Sequence, residues 1–219
     1  MNPTQPLSTP HSPATAFALI VAAAAALLGG CASPSPAPML LSLPPAVTSG
    51  LAAAVTEAPA ASGAAGPKLL AIRRIGIPEY LVSRRVRFRS DASTLAEWPN
   101  TYWAERIEVG VSREFISALR QQLPGWELCE STCGDREPSL ALQVDMVPMD
   151  FVRSAQQLQA RARVTVSSAG AAPRTLRAAE LAYALPAAAD TAQAQASAVT
   201  ELLRRVAAAT APLVTAAQK

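Results

Sequence analysis

Histidine is nearly missing from this 219-residue chain, and the one imidazole, His11, lies inside an N-terminal segment with the marks of a removed export signal. The mature chain then lacks both a group that titrates near neutrality and the nitrogen ligand of common zinc sets. That excludes Ser-His-Asp and Cys-His catalysis, histidine general bases and the usual zinc centres. Glycine is scarce as well: none of the ten forms a GxxxxGK[ST] or GxGxxG loop, so the common phosphate cradles are absent. Charged residues make up 16 % of the chain, against about 25 % in an average globular protein. The deficit comes from alanine-rich, proline-punctuated N-terminal stretches that cannot build a core alone. Carboxylates do not fill the gap. Glu105 and Glu108 stand three apart on an expected helix exterior and Glu127 and Glu130 at an expected turn, neither arranged for acid–base work. The composition points away from an enzyme and implies no catalytic residue, cofactor or metal.

What is present begins with an uncharged apolar run from Ala14 to Leu28, ending in Gly29-Gly30-Cys31. It falls short of the ~20 residues needed to cross a bilayer as a helix, and small residues before a cysteine suit a peptidase. Leu28-Gly29-Gly30-Cys31 resembles the lipobox of bacterial lipoproteins, which implies that residues 1–30 are a signal peptide and Cys31 is acylated. Secretory cleavage without lipid and a retained anchor are the alternatives. By the sorting habit of enterobacterial lipoproteins, Ala32 rather than Asp after the cysteine implies the outer membrane, with the domain on its periplasmic face. Residues 31–67 carry one charge, Glu57, and read as a lipidated N-terminus and Ala/Pro-rich tether. Met39 to Leu43 is its exception, an apolar run able to add an edge strand. As free coil, residues 44–67 would span about 27 Å and let the domain float just off the membrane.

The folded domain is expected over residues 68–219. Leu69 to Ile77 reads as a strand, Pro78 to Leu81 as a turn, and Arg84 to Arg89 as a second strand with Val86 and Phe88 on one face and Arg85, Arg87 and Arg89 on the other. Trp103, Ile107, Val111, Phe115 and Leu119 recur every four residues and predict an amphipathic helix, capped by Asn100 or Thr101 and stopped by Pro124-Gly125. Three strands follow: Leu140 to Met146, with Pro148 breaking the ladder, then Leu158 to Val166, then Leu181 to Leu185. Their short connections imply antiparallel hairpins. A last helix starts at Asp190, with Gln193 in a capping box, and Pro212 ends or kinks it. The order β-β-α-β-β-β-α, with a strand also allowed at Trp126 to Cys129, reads as an α+β two-layer sandwich, an antiparallel sheet with both helices on one face.

Charge is uneven. Residues 68–89 carry seven basic groups against Glu79, residues 91–145 four against ten acids, and residues 150–219 eight against four. Arg84, Arg85, Arg87 and Arg89, with Arg73 and Arg74, suit carboxylate or phosphate. One reading is a solvated face neutralised by the acidic first helix, the other a surface for an acidic partner or lipid head groups. Nucleic acid is excluded by compartment and by the absence of any binding motif. Cys129 and Cys133, in an oxidising compartment, are expected to form a structural disulfide, provided the segment turns.

The stretch Ile77-Pro78-Glu79-Tyr80-Leu81, then Arg89, Leu95 and Trp103-Ala104-Glu105-Arg106-Ile107, resembles the ABC-type transport auxiliary lipoprotein family, the PqiC-like proteins. The resemblance implies a non-enzymatic accessory or docking subunit for a lipid transport system that maintains the envelope, with MCE-domain and ABC transporter components as partners. Outer-membrane lipid is contacted through the acyl anchor, and a homo-oligomer is allowed. Tyr80 joins the arginines as a candidate partner- or lipid-binding residue, and Trp103 and Glu105 join the cysteines as structural residues. The alternative is a module that itself binds lipid or lipopolysaccharide in a groove between helices and sheet. A solid core with an exposed sheet edge would favour docking, and a cavity large enough for an acyl chain would favour lipid binding.

Overall fold

The computed structural model describes residues 36–46, 68–130 and 133–218. The signal peptide, Cys31 and residues 47–67 of the expected tether lie outside them. In chain order the elements are β1 (Met39–Leu41), β2 (Lys68–Ile72), β3 (Arg85–Arg89), β4 (Leu95–Trp103), α1 (Ile107–Gln122), β5 (Trp126–Glu130), β6 (Leu140–Val152), β7 (Gln157–Ser168), β8 (Thr175–Pro186) and α2 (Ala192–Ala216). Single 3-10 turns occupy Glu79–Leu81 and Arg153–Ala155.

The long strand β6 organises the sheet. One of its edges carries the antiparallel hairpin β7–β8 that the alternation predicts. Its other edge is shared: β2 runs parallel to its first half, Leu70 opposite Leu140, and β3 meets its far end, Arg89 opposite Val152. Beyond β2 lies β5, parallel to it; beyond β3 lie β4, antiparallel, and then β1, parallel to β4. The sheet is therefore mixed, not antiparallel as expected. Parallel pairs need partners distant in sequence, so hairpin signals carry no trace of them.

Several local expectations change. Trp103 belongs to β4, not to the helix. Its side chain is buried in phase with Thr101 on that strand, and Trp98, five residues earlier, is buried too because the register against β3 shifts between them, while α1 starts at Ile107 after Arg106 with no side-chain cap. Asn100 and Thr101 are strand residues, and Thr101 Oγ1 donates to the Pro99 carbonyl. Pro148 breaks the ladder as expected, although β6 continues past it: the register shifts between Met146 and Met149, and this bulge leaves residues 147 and 148 outside the ladder, where a missing N–H costs no pair. At α2 the cap is Thr191, whose Oγ1 accepts from the Ala194 N–H at 3.2 Å, and Asp190 pairs with Arg153 instead. The helix runs past Pro212 to Ala216. The carbonyl left without its usual donor belongs to Ala208, an exposed residue. Finally, β2 ends at Ile72, short of Ile77, although Arg73 and Gly76 still donate to the Leu142 and Val144 carbonyls of β6.

The helices cross each other, α2 lying against β7 and β8 and α1 reaching β5. Ile107, Val111, Phe115 and Leu119 of α1, and Ala196, Val199, Leu202, Leu203 and Val206 of α2, are buried as their spacing predicts. The expected edge strand is β1, and the chain after it stays on the domain. The buried Leu43 joins the core, the Pro44 carbonyl accepts from Thr200 Oγ1 at 3.0 Å, and the Ala46 N–H donates to Glu114 Oε2 at 2.8 Å.

Candidate functional site

Alternation along β3 sends Val86 and Phe88 into the core and Arg85, Arg87 and Arg89 to the opposite face, but the three guanidinium groups meet different surroundings. Arg89 Nε donates to Asp150 Oδ2 at 2.9 Å, and the Tyr80 hydroxyl donates to Asp150 Oδ1 at 2.8 Å. Asp150 is buried and comes from β6 just beyond the bulge. Both its oxygens are engaged, and the Arg89 guanidinium lies 5.9 Å from the Tyr80 ring centre. Burial, then the Asp150 hydrogen bond and charge, push the Tyr80 hydroxyl above its ordinary pKa. The same Asp150 bond holds Arg89 more firmly protonated. The trio is a closed clamp that pins the 3-10 turn of residues 79–81 to the sheet, with a tyrosine kept neutral and no lone carboxylate oxygen for proton transfer.

Arg87 sits in the middle. Its Nη1 donates to the Tyr80 carbonyl at 2.8 Å and its Nε to Glu97 Oε1 at 3.3 Å. Its own carbonyl accepts from Gln195 Nε2 at 2.7 Å, and Gln195 Oε1 takes the Trp98 indole N–H at 2.7 Å. The buried Gln195 of α2 thereby satisfies the buried indole N–H of Trp98 and the backbone carbonyl of the half-buried Arg87. Beside it, Arg153 lies 4.9 Å from the Phe88 ring centre and 4.7 Å from that of Trp98, and pairs with Asp190 at 2.9 Å.

Toward the start of β3 the surroundings open. Arg85 is 3.2 Å from Glu97 Oε2, the carboxylate that also serves Arg87, and lies 5.3 Å from the Tyr102 ring centre. Arg84 is exposed, and its guanidinium makes no hydrogen bond or ion pair among the described residues.

The acidic helix does not neutralise this strand as one sequence reading expects. Glu105 accepts from Arg113 at 2.7 Å, Glu114 from Arg113 at 2.9 Å, and Glu108 from Arg106. Desolvation raises the Glu108 carboxyl, yet its own backbone N–H, Arg106 and Arg74 together outweigh this and leave it below its ordinary pKa. The counter-ions of β3 are Glu97 and Asp150, which the sequence reading missed together with Gln195 and Arg153. One signal was available: Asp150 is a lone carboxylate between Met149 and Phe151. Trp103 is 6 % exposed and packs in the core. Glu105 lies just before α1, close enough to Gly110 that a Cβ there would sit 3.3 Å from its Oε1. Cys129 and Cys133 have their Cα atoms 5.3 Å apart and their sulfur atoms at bonding distance, so the segment does turn.

Where the helices meet the sheet, near Trp103, Ile107, Leu158 and Val199, the described residues leave a cavity of about 20 Å³. Larger concavities, about 550 Å³ beside Arg163 and Glu180, about 650 Å³ beside Pro148 and Tyr183 and about 650 Å³ beside Leu40 and Arg85, are open to the outside.

A mixed sheet packed with two helices defines an α+β domain. Residues 50–211 match the family model of the ABC-type transport auxiliary lipoprotein component, and the chain belongs to that family. Among curated proteins no sequence matches it. Its fold is similar to that of protein XCC0632 from Xanthomonas campestris, assigned to family-model DUF330, at 15 % identity and a TM-score of 0.54 over 70 % of this chain and 87 % of that one. It is also similar to the crystal structure of an uncharacterized protein, at 14 % identity and a TM-score of 0.63 over 81 % of this chain and 99 % of the other.

Proposed function

We propose that this family member is an outer-membrane-anchored periplasmic lipoprotein, acylated at Cys31, that serves as a non-catalytic docking subunit of an ABC/MCE-type lipid transport system. The observation that carries docking over lipid storage is the filled space between helices and sheet. A site for a lipid-sized ligand occupies about 300–1,000 Å³, whereas the cavity here is about 20 Å³. Docking is supported too by β8, whose 12 residues pair, among the described residues, with β7 alone, leaving backbone donors and acceptors for an added strand. The disulfide Cys129–Cys133 belongs to the same reading, since the periplasm is oxidising. Arg84 and Arg85 are the surface residues of the basic strand, while Arg87, Arg89 and Tyr80 hold its shape.

The test is purification of the full acylated chain from native membranes. Docking predicts MCE-domain and ABC transporter components in fixed ratio with the chain, and an acyl mass on Cys31. Stoichiometric phospholipid or lipopolysaccharide without companion proteins would replace docking by the lipid-binding reading.

A further inference from the structure

We infer that the edge of the sheet formed by β1 and the start of β3 is a membrane seat: Leu40 and Arg84, with Arg85 over Tyr102, rest on the anionic head groups of the bilayer that holds the lipid anchor. The inference rests on the proposed acylation of Cys31 and adds which face the anchor brings to the lipid.

The first observation is where the chain enters the domain. Because β1 and the following residues up to Ala46 are bound to the fold, the covalent link from Cys31 ends at Pro38, seven residues on. Seven residues reach at most about 25 Å when fully extended and about 15 Å on average as coil. Residues 44–67 therefore do not set the spacing from the membrane. The face where β1 begins stays within that reach of the head groups.

The second observation is what that face carries. Leu40 lies opposite Tyr102 on β4, and Tyr102 opposite Arg85 on β3, so the three share one face in one row across the sheet edge. Leu40 is 63 % exposed, among the most exposed large apolar side chains described, while Met39 turns to the other face, where its sulfur accepts from Gln193 Nε2 of α2. Arg85 and Arg87 share the carboxylate of Glu97, and Arg84 lines the same concavity with Leu40 without an ion pair among the described residues, an excess of two positive charges beside an exposed apolar group. Basic side chains with apolar ones beside them are what an interfacial contact with anionic lipid requires. An acidic protein would satisfy the charge but gives no reason for this patch to lie where the anchor enters.

The experiment uses the full acylated chain carrying Leu40→Cys, labelled with an environment-sensitive NBD fluorophore. The other cysteines are blocked by acylation and by the disulfide. A second labelled chain carries Arg174→Cys, in the exposed β7–β8 turn at the opposite end of β6. Both are reconstituted into vesicles of phosphatidylethanolamine with phosphatidylglycerol and into vesicles of phosphatidylcholine alone. The seat predicts a blue-shifted, several-fold brighter emission from position 40 in the anionic vesicles only, reversed by high salt, with position 174 reporting water throughout. Arg84→Glu in the Leu40→Cys chain should cut the seated-to-unseated ratio by at least about fivefold, the factor for one cation near an anionic surface. Vesicles that carry the protein while position 40 still reports water overturn the seat and leave the anchor standing. Shielding of position 40 on native membrane fragments but not on vesicles assigns the face to a protein and also overturns it. A chain without acyl mass on Cys31 that stays in solution overturns the anchor, and the seat with it.

Discussion

The two ends of β3 carry the same residue type on the same face and do different work. At Arg89 the cation lies against a buried carboxylate that also holds a tyrosine hydroxyl, and its side chain is 22 % exposed. At Arg85, four residues earlier, the side chain is 49 % exposed and shares one half-exposed carboxylate with its neighbour. Coulomb attraction grows as water is excluded, so the Arg89 pair ties strands together while the Arg85 pair costs little to break. A row of arginines is thus a clamp at one end and an available surface at the other, and the partner strands decide which.

The largest expected effect breaks the clamp. Asp150→Ala strands Arg89 without its counter-ion and Tyr80 without its acceptor, and removing one member of a buried pair costs about 3 kcal/mol. Urea denaturation should show the loss as a lower midpoint with unchanged slope.

Next is Gln195→Leu, which leaves the buried Trp98 N–H without its acceptor and the Arg87 carbonyl without its donor. A cost of about 2 kcal/mol is expected, read by thermal unfolding, with Trp98 fluorescence altered in the folded state.

At the open end, Arg84→Ala with Arg85→Ala should change stability by less than about 1 kcal/mol, because exposed ion pairs contribute little. The melting temperature should stay within a few degrees, and a larger drop would erase the contrast between the ends.

The smallest effect lies away from both. Glu201, paired with Arg204 and Arg205 on α2, has its carboxyl pushed down to about 2 from an ordinary 4.5, chiefly by the Arg204 hydrogen bond. A carboxyl lowered in the folded state stabilises above its unfolded pKa and loses that contribution as pH falls through the folded one. The loss therefore falls between pH 4.5 and about 2. The group is 35 % exposed, and screening limits it to a few tenths of a kcal/mol per pair. Glu201→Gln should lower stability by that amount at pH 7 and be indistinguishable from the parent below pH 2.

Alternation made the faces of β3, β6, β7 and β8 legible in the sequence, because a period of two survives whatever lies next door. The helix anchors were legible for the same reason at period 3.6, and the family resemblance over residues 77–107 led to the family shown by residues 50–211. The partners were not legible. Trp103 falls in phase with Ile107 four residues later, so the end of β4 reads as the start of a helix. With β4 went Glu97, the counter-ion of Arg85 and Arg87, and with the bulge at residues 147–148 went the register that turns Asp150 toward Arg89. Each miss is a contact between segments 10 to 108 residues apart, and no local pattern encodes such pairs.

The most direct test of the difference between the two ends is a pair of double-mutant cycles, Arg89→Ala with Asp150→Ala and Arg85→Ala with Glu97→Ala, measured by urea unfolding of the full chain. The account predicts a coupling of roughly 2 kcal/mol at the Arg89 end, as for a buried pair, and less than about 0.5 kcal/mol at the Arg85 end. Equal couplings, or a stronger one at Arg85, would contradict it.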